Sequence, residues 1–184
     1  MSNFDQQDMS QAVAIIGMSC RFPGADDVSQ FWENIAQQVE SIAHNGTSVG
    51  QASKSDNGQP HFVDVSSGID NIDMFDASFF GYTPNEAKAT DPQHRILLET
   101  SYNAFEDAGY VASQFDGLVG AFVGITASSY FHKNIQTNTE QSAKLNAHHI
   151  LIGNDKSFAA TRLAFKMNLT GPAMSVDTAC STSL

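Results

Sequence analysis

The stretch Gly171-Pro172-Ala173-Met174-Ser175-Val176-Asp177-Thr178-Ala179-Cys180-Ser181-Thr182-Ser183-Leu184 decides how this chain reads. Gly171-Pro172 stops whatever helix precedes it, and the chain turns into a short strand over residues 173–177. Small residues follow, so Cys180 falls at a tight strand-to-helix turn. Ser181, Thr182 and Ser183 suit the first turn of that helix. A helix N-terminus presents free N–H groups and the positive end of its dipole, which favour a thiolate and leave donors near a developing oxyanion. The nucleophile elbow of serine hydrolases follows the same logic, although no G-x-S-x-G is present. The residues alone leave a second reading open, an inert buried thiol, because free cysteine is among the most buried residue types.

Outward from that turn, the spacing predicts a helix over about residues 157–168, capped by Asn154 or Asp155. Phe158, Thr161 and Phe165 share one face, and Leu163, Ala164 and Met167 supply a second. Residues 118–125 form a buried strand candidate. Upstream, Asp91 is an N-cap with Pro92 at N1, where a missing N–H costs nothing. Leu98, Tyr102 and Phe105 follow at helical spacing, and Gly109 ends the helix as a C′ residue. Residues 12–18, Ala-Val-Ala-Ile-Ile-Gly-Met, read as a strand buried on both faces. Pro23-Gly24 marks a turn. Asp26 or Asp27 then caps a helix whose apolar face is Val28, Phe31, Trp32, Ile35 and Val39. Residues 43–60 read as a polar surface loop, with apolar structure resuming at His61-Phe62-Val63-Asp64-Val65. Residues 128–147 read as a polar excursion with short helical pieces. Strands alternating with helices imply an α/β architecture with a largely parallel sheet, without internal repeats.

Composition narrows the function. Hydrophobic residues make up 41% of the 184, enough for a real core. The net charge of −11, with nine Lys and Arg, argues against a nucleic-acid surface, which needs a basic stripe. Two cysteines are too few for a disulfide framework in a chain of this length. The polar tail 1–11 has no signal-peptide pattern, and no apolar run is long enough to span a bilayer. A reducing, cytoplasmic setting is expected, with both thiols free and no membrane partner. Asn45-Gly46-Thr47 and Asn168-Leu169-Thr170 match the glycosylation pattern by chance in such a setting.

Asp177-Thr178-Ala179-Cys180-Ser181-Thr182-Ser183-Leu184 resembles the active-site signature of β-ketoacyl synthase (ketosynthase) domains of modular type I polyketide synthases. Four further stretches are similar to that family and stand in its order. They are Ala14-Ile15-Ile16-Gly17-Met18-Ser19-Cys20-Arg21-Phe22-Pro23-Gly24; Phe75-Asp76-Ala77-Ser78-Phe79-Phe80-Gly81 with Pro84-Asn85-Glu86-Ala87; Asp91-Pro92-Gln93-His94-Arg95 with Leu98-Glu99; and Gly153-Asn154-Asp155-Lys156 with Ala160-Thr161-Arg162 and Asn168-Leu169-Thr170-Gly171-Pro172. The resemblance covers residues 12–184. Thr90 stands where the family usually has Met, and Tyr82 where a branched aliphatic is usual; neither position carries chemistry.

The resemblance implies a thiolase-like fold (αβαβα), with part of its first half present in residues 12–184 after the tail 1–11. It implies that Cys180 accepts an acyl group from the phosphopantetheine arm of an acyl carrier protein. Decarboxylative Claisen condensation with a malonyl-type carrier thioester then yields a β-ketoacyl chain, as in polyketide or fatty-acid biosynthesis. No cofactor is expected to bind directly, and no metal. Family members are homodimers within multidomain chains. Two histidines that assist decarboxylation, and a lysine near them, lie C-terminal to the cysteine in the family and are not among these residues. The residues alone are therefore expected to be inactive in condensation and aggregation-prone. The alternatives are a non-catalytic truncated fragment and a ketosynthase domain that transfers acyl groups without elongating. Chain-length-factor homologues lack the cysteine, so Cys180 argues against that relative.

The remaining candidates take structural readings. His44, His61, His94, His132, His148 and His149 show no metal spacing. Cys20 is expected to be buried. Arg21 and Arg95 are expected to be structural ion-pair partners, and Phe75, Phe79 and Phe80 core residues. Asp177 is placed to orient the turn without touching substrate.

Overall fold

The computed structural model describes residues 12–44, 65–138 and 144–182. The tail 1–11, most of the polar loop, His61-Phe62-Val63-Asp64, part of the excursion and Ser183-Leu184 lie outside the described residues. In chain order the main elements are α1 (Val28–Ala36), β1 (Ala43–His44), β2 (Val65–Ser66), α2 (Pro84–Ala89), α3 (Pro92–Asp107), β3 (Ala121–Val123), α4 (Ala147–Asn154), α5 (Ala159–Met167) and β4 (Ala173–Ser175). β1 and β2 pair antiparallel. β3 and β4 pair parallel, with Ala121 opposite Ala173, Phe122 opposite Met174 and Val123 opposite Ser175.

Strand alternation sorts the β3–β4 side chains onto two faces. Ala121 and Val123 are buried, and they pack with Ala159, Ala160, Leu163 and Met167 of α5 and Leu98 of α3. Leu98 is fully buried, a placement that contributes about 1.5–3 kcal/mol over exposure. On the opposite face Phe122 and Met174 are exposed. A cavity of about 550 Å³ opens between α3, α5 and β3, beside Ile16 and Gly17.

Chain ends of the helices follow local chemistry. Asp91 caps α3 by accepting the Gln93 N–H at 2.8 Å, with Pro92 at N1 as expected. At the other end Gly109 takes φ +73, and two bonds close the end: Gly109 N–H to Glu106 C=O and Tyr110 N–H to Phe105 C=O. Asp27, one of the two residues expected, caps α1. Phe22 and Ala25 exchange both backbone hydrogen bonds around Pro23-Gly24, with Gly24 at φ +73. Asp155 is the cap on the approach to α5, which begins as a 3₁₀ turn, Lys156–Phe158. Asn154 instead ends α4, and its amide donates to Ala89 C=O at 2.7 Å. Asn168 ends α5 at φ 55, in the left-handed region.

Two sequence expectations are corrected. Residues 12–18 form no strand, and Val13, Ile15 and Ile16 are 92%, 81% and 63% exposed. The run has a buried strand's composition but finds no strand edge among the described residues. It is tethered at its end, where Gly17 packs on Ala104 and Ala108 and Met18 N–H donates to Asp107. The apolar face of α1 forms as expected and is partly covered, with Phe31 against Phe22 and Trp32 and Ile35 exposed. The strand expected over residues 118–125 is paired over Ala121–Val123, and Leu118 is exposed.

Two polar clusters tie the helices together. The Arg162 guanidinium on α5 donates to Tyr82 Oη at 2.5 Å and to Thr90 Oγ1 at 3.1 Å, and it lies 4.8 Å from the Tyr82 ring centre. Thr90 is fully buried, and its own hydroxyl donates to Glu86 C=O. The Lys166 ammonium sits 4.0 Å from the centre of the same ring and donates to the Phe80 and Gly81 carbonyls.

The second cluster is Asp91, His94 and Arg95, all buried. Among the described residues, Asp91 Oδ2, His94 Nδ1 and Arg95 Nε have no hydrogen-bond partner. Burial holds the His94 pKa below the ordinary histidine value; Asp91 opposes this and Arg162 adds to it. The unfolded chain therefore binds this proton more readily than the folded one. Stability should rise with pH through that interval and fall on acidification below about 6.5. Melting followed from pH 7 to pH 5 should show a falling Tm, and His94→Gln should flatten the fall by removing the titrating ring. An equal fall in that variant would place the acid sensitivity elsewhere.

Candidate active site

β4 ends at Ser175, and the ladder runs one residue further, where Val176 N–H donates to Val123 C=O at 2.8 Å. The chain then leaves the sheet through Asp177 and Thr178 into a single 3₁₀ turn, Ala179–Ser181. Cys180 is in that turn and is exposed, with its sulfur free. The inert buried thiol is therefore not what the structure shows. The helix expected after Cys180 begins only as this turn, with Thr182 still in a right-handed helical conformation and the following residues outside the described set.

Side chains of the turn satisfy its own backbone. Thr182 Oγ1 accepts from Thr178 N–H at 3.1 Å and donates to Ala179 C=O at 2.8 Å. Ser181 Oγ donates to Thr178 C=O at 2.9 Å. Ala179 takes φ +52. A residue with a Cβ avoids that region at a cost of about 1–2 kcal/mol, so strain is stored beside the thiol.

Groups from elsewhere in the fold meet the turn. Gly124, just past β3, lies so close that a Cβ there would overlap Thr182 Cγ2. Lys156 forms an ion pair with Asp177. The Ser175 hydroxyl bridges to the start of α5, donating to Ser157 C=O at 3.3 Å and accepting Ala160 N–H at 3.4 Å. Sequence reading singles out Asp177 as a turn-orienting residue and places Thr182 in the first turn, but does not connect Gly124 or Lys156 with it. A lone glycine at the end of a strand pattern is the available signal, since it marks close backbone approach.

The other candidates are not brought to this turn. Arg21 pairs with Glu99 at 3.4 Å and donates to Asp70 C=O, the structural role expected. Arg95, in the first turns of α3, donates to Asp73 C=O at 3.2 Å rather than to a carboxylate. Cys20 is half-buried; burial and then the Asp27 charge push its thiol pKa up. Phe75 and Phe80 pack on the core, while Phe79 is 56% exposed. His44, His132 and His149 lie beside Glu40, Gln136 and Glu86. Among the described residues, no group of three or more His, Cys, Asp or Glu could hold a metal ion. No helix among them is long and apolar enough to cross a membrane.

Comparison with known proteins gives consistent matches. The family described as "Beta-ketoacyl synthase, N-terminal domain" matches residues 10–184. A phenolphthiocerol/phthiocerol polyketide synthase of Mycobacterium tuberculosis is 40% identical over 182 residues, covering 94% of this chain and 12% of that protein. Polyketide synthase PksL of Bacillus subtilis is 36% identical over 186 residues, covering 97% of this chain and 4% of that protein. Among solved structures, the ketosynthase from module 1 of the bacillaene synthase of Bacillus amyloliquefaciens superposes with a TM-score of 0.71 at 32% identity, covering 89% of this chain and 28% of that one. The ketosynthase from module 6 of the Bacillus subtilis bacillaene synthase gives 0.67 at 34% identity, with 93% and 27% covered. The chain thus spans a small part of each polyketide synthase it matches. These neighbours give it the thiolase-like α/β fold, in part.

Proposed function

This chain belongs to the beta-ketoacyl synthase family, and on that basis we propose that Cys180 is the acyl acceptor of a condensing domain. The Cys180 thiolate attacks the thioester carbonyl of an acyl group carried on the phosphopantetheine arm of an acyl carrier protein. A new sulfur–carbon bond forms, the old one breaks, and the carrier thiolate leaves and takes a proton. A malonyl-type carrier thioester then loses carbon dioxide, and its carbanion equivalent attacks the Cys180 thioester. The β-ketoacyl chain departs on the carrier, and the Cys180 thiol is restored. Sulfur suits both halves, as a strong nucleophile and as a competent leaving group.

The observation that carries this reading is the exposed Cys180 beside a left-handed alanine, on a turn directly after a strand. Strain next to a nucleophile is where function is expected to place it. Residues 12–184 are proposed as the N-terminal part of the domain, following the tail 1–11. The parent protein is proposed to be a cytoplasmic homodimer. Condensation is proposed to need the histidines that the family resemblance places beyond Cys180, so these residues alone would not perform it.

The test is site-resolved acylation of the complete polypeptide. Incubation with a short acyl-pantetheine thioester, followed by peptide mass mapping, should place the acyl group on Cys180 in large excess over Cys20. Burial and Asp27 keep the Cys20 thiol protonated, so it should react slowly. Label found mainly on Cys20 would overturn the assignment.

A further inference from the structure

We infer that Lys156 and Asp177 are positioning residues for the Cys180 thiol, an inference that rests on Cys180 being the acyl acceptor. The Lys156 ammonium donates to Asp177 Oδ2. Asp177 lies two residues before Ala179, the residue at φ +52 that precedes the cysteine. The ion pair thus holds the chain just ahead of the strained residue, while Thr182 Oγ1 donates to that residue's carbonyl from the far side. The Lys156 hydrogen bond and charge keep the Asp177 carboxyl below the usual carboxylate range.

Lys156 is itself well anchored. It opens the 3₁₀ turn capped by Asp155, whose Oδ1 accepts Ser157 N–H at 2.9 Å and Ser157 Oγ at 2.6 Å. Ser157 C=O is in turn bridged to β4 through Ser175. The pair therefore links the start of α5 to the end of β4 at the point where the chain enters the turn. Without it, Asp177 and the strained Ala179 two residues on lose their tie to α5, and Cys180 can shift with them. Both side chains are about half exposed, 46% and 54%, and an exposed pair of this kind adds little to stability. Aim, rather than stability, is what the pair has to offer.

The test compares Lys156→Met, Asp177→Asn and Lys156→Arg with the wild type in the complete polypeptide. Acyl loading from a pantetheine thioester needs an oriented thiol; alkylation by iodoacetamide is less demanding. Lys156→Met and Asp177→Asn should slow loading by about 10- to 100-fold, the scale of a small misplacement at a reacting atom. Alkylation should slow much less, Tm should barely move, and Lys156→Arg should restore loading. Unchanged loading in both variants, with wild-type Cys180 still acylated, would overturn the positioning role and leave the acceptor assignment intact. Equal loss of loading and alkylation with a matching fall in Tm would overturn it too, as a fold effect. Failure of wild-type Cys180 to load would remove the acceptor assignment and this inference together.

Discussion

Cys180→Ala is expected to abolish acyl loading and condensation in the complete protein. Alanine offers no atom for the covalent bond, so nothing can replace the missing intermediate. Removing a nucleophile of a covalent enzyme lowers turnover by roughly 10⁶-fold, and a loss of that order is the expected scale. Stability should stay within about 0.5 kcal/mol, because Cys180 is exposed and its sulfur packs into no core. Cys180→Ser separates the chemistry from the shape. It keeps a hydroxyl in place of the thiol, but an alcohol is far less nucleophilic at neutral pH, so loading should remain severely reduced. Turnover of the alanine variant near the wild-type rate would exclude Cys180 as acceptor.

Gly124→Ala should be nearly as damaging to loading, by a different route. Its new methyl would overlap Thr182 Cγ2 and stand 2.8 Å from Thr182 Cβ, an approach no packed carbons hold. Thr182 must move, and its hydroxyl is what joins Thr178 N–H to Ala179 C=O. Displacing that knot shifts Cys180, and a displacement near 1 Å costs on the order of 10²-fold in rate. Overpacking should also destabilise the protein by about 1–3 kcal/mol. The double variant Gly124→Ala with Thr182→Ser tests the cause. Serine keeps the hydroxyl and removes Cγ2, the atom in the worst clash, so part of the lost loading should return. No recovery, or normal loading in Gly124→Ala alone, would mean the contact does not govern the turn.

The sequence is most legible where structure is decided by neighbours. Asp91-Pro92 and Gly109 mark the ends of α3, Pro23-Gly24 the hairpin turn, and Asp155 the approach to α5, each through a bond spanning a few residues. One local signal is easily passed over. Thr83 and Glu86 form a reciprocal capping box with Pro84 at N1, a readable start for α2. Burial is harder to read, because it depends on partners the local pattern does not name. Residues 12–18 and part of the apolar face of α1 carry the composition for burial and lie exposed among the described residues. The site divides the same way. Cys180 is visible from its small neighbours, whereas Lys156 and Gly124 meet Asp177 and Thr182 on either side of it from the start of α5 and the end of β3. Spacing along one stretch cannot reveal a contact made across two.

The Arg162 hub bears on how this chain differs from its relatives. Tyr82 and Thr90 are the two positions singled out as departures from the usual ketosynthase pattern, and both are hydrogen-bond acceptors for the same guanidinium. They are not independent substitutions. An aliphatic at 82 leaves Arg162 without its phenolic acceptor, and methionine at 90 removes the hydroxyl acceptor. Positions 82 and 90 should therefore be swapped or grafted together, around an unchanged Arg162.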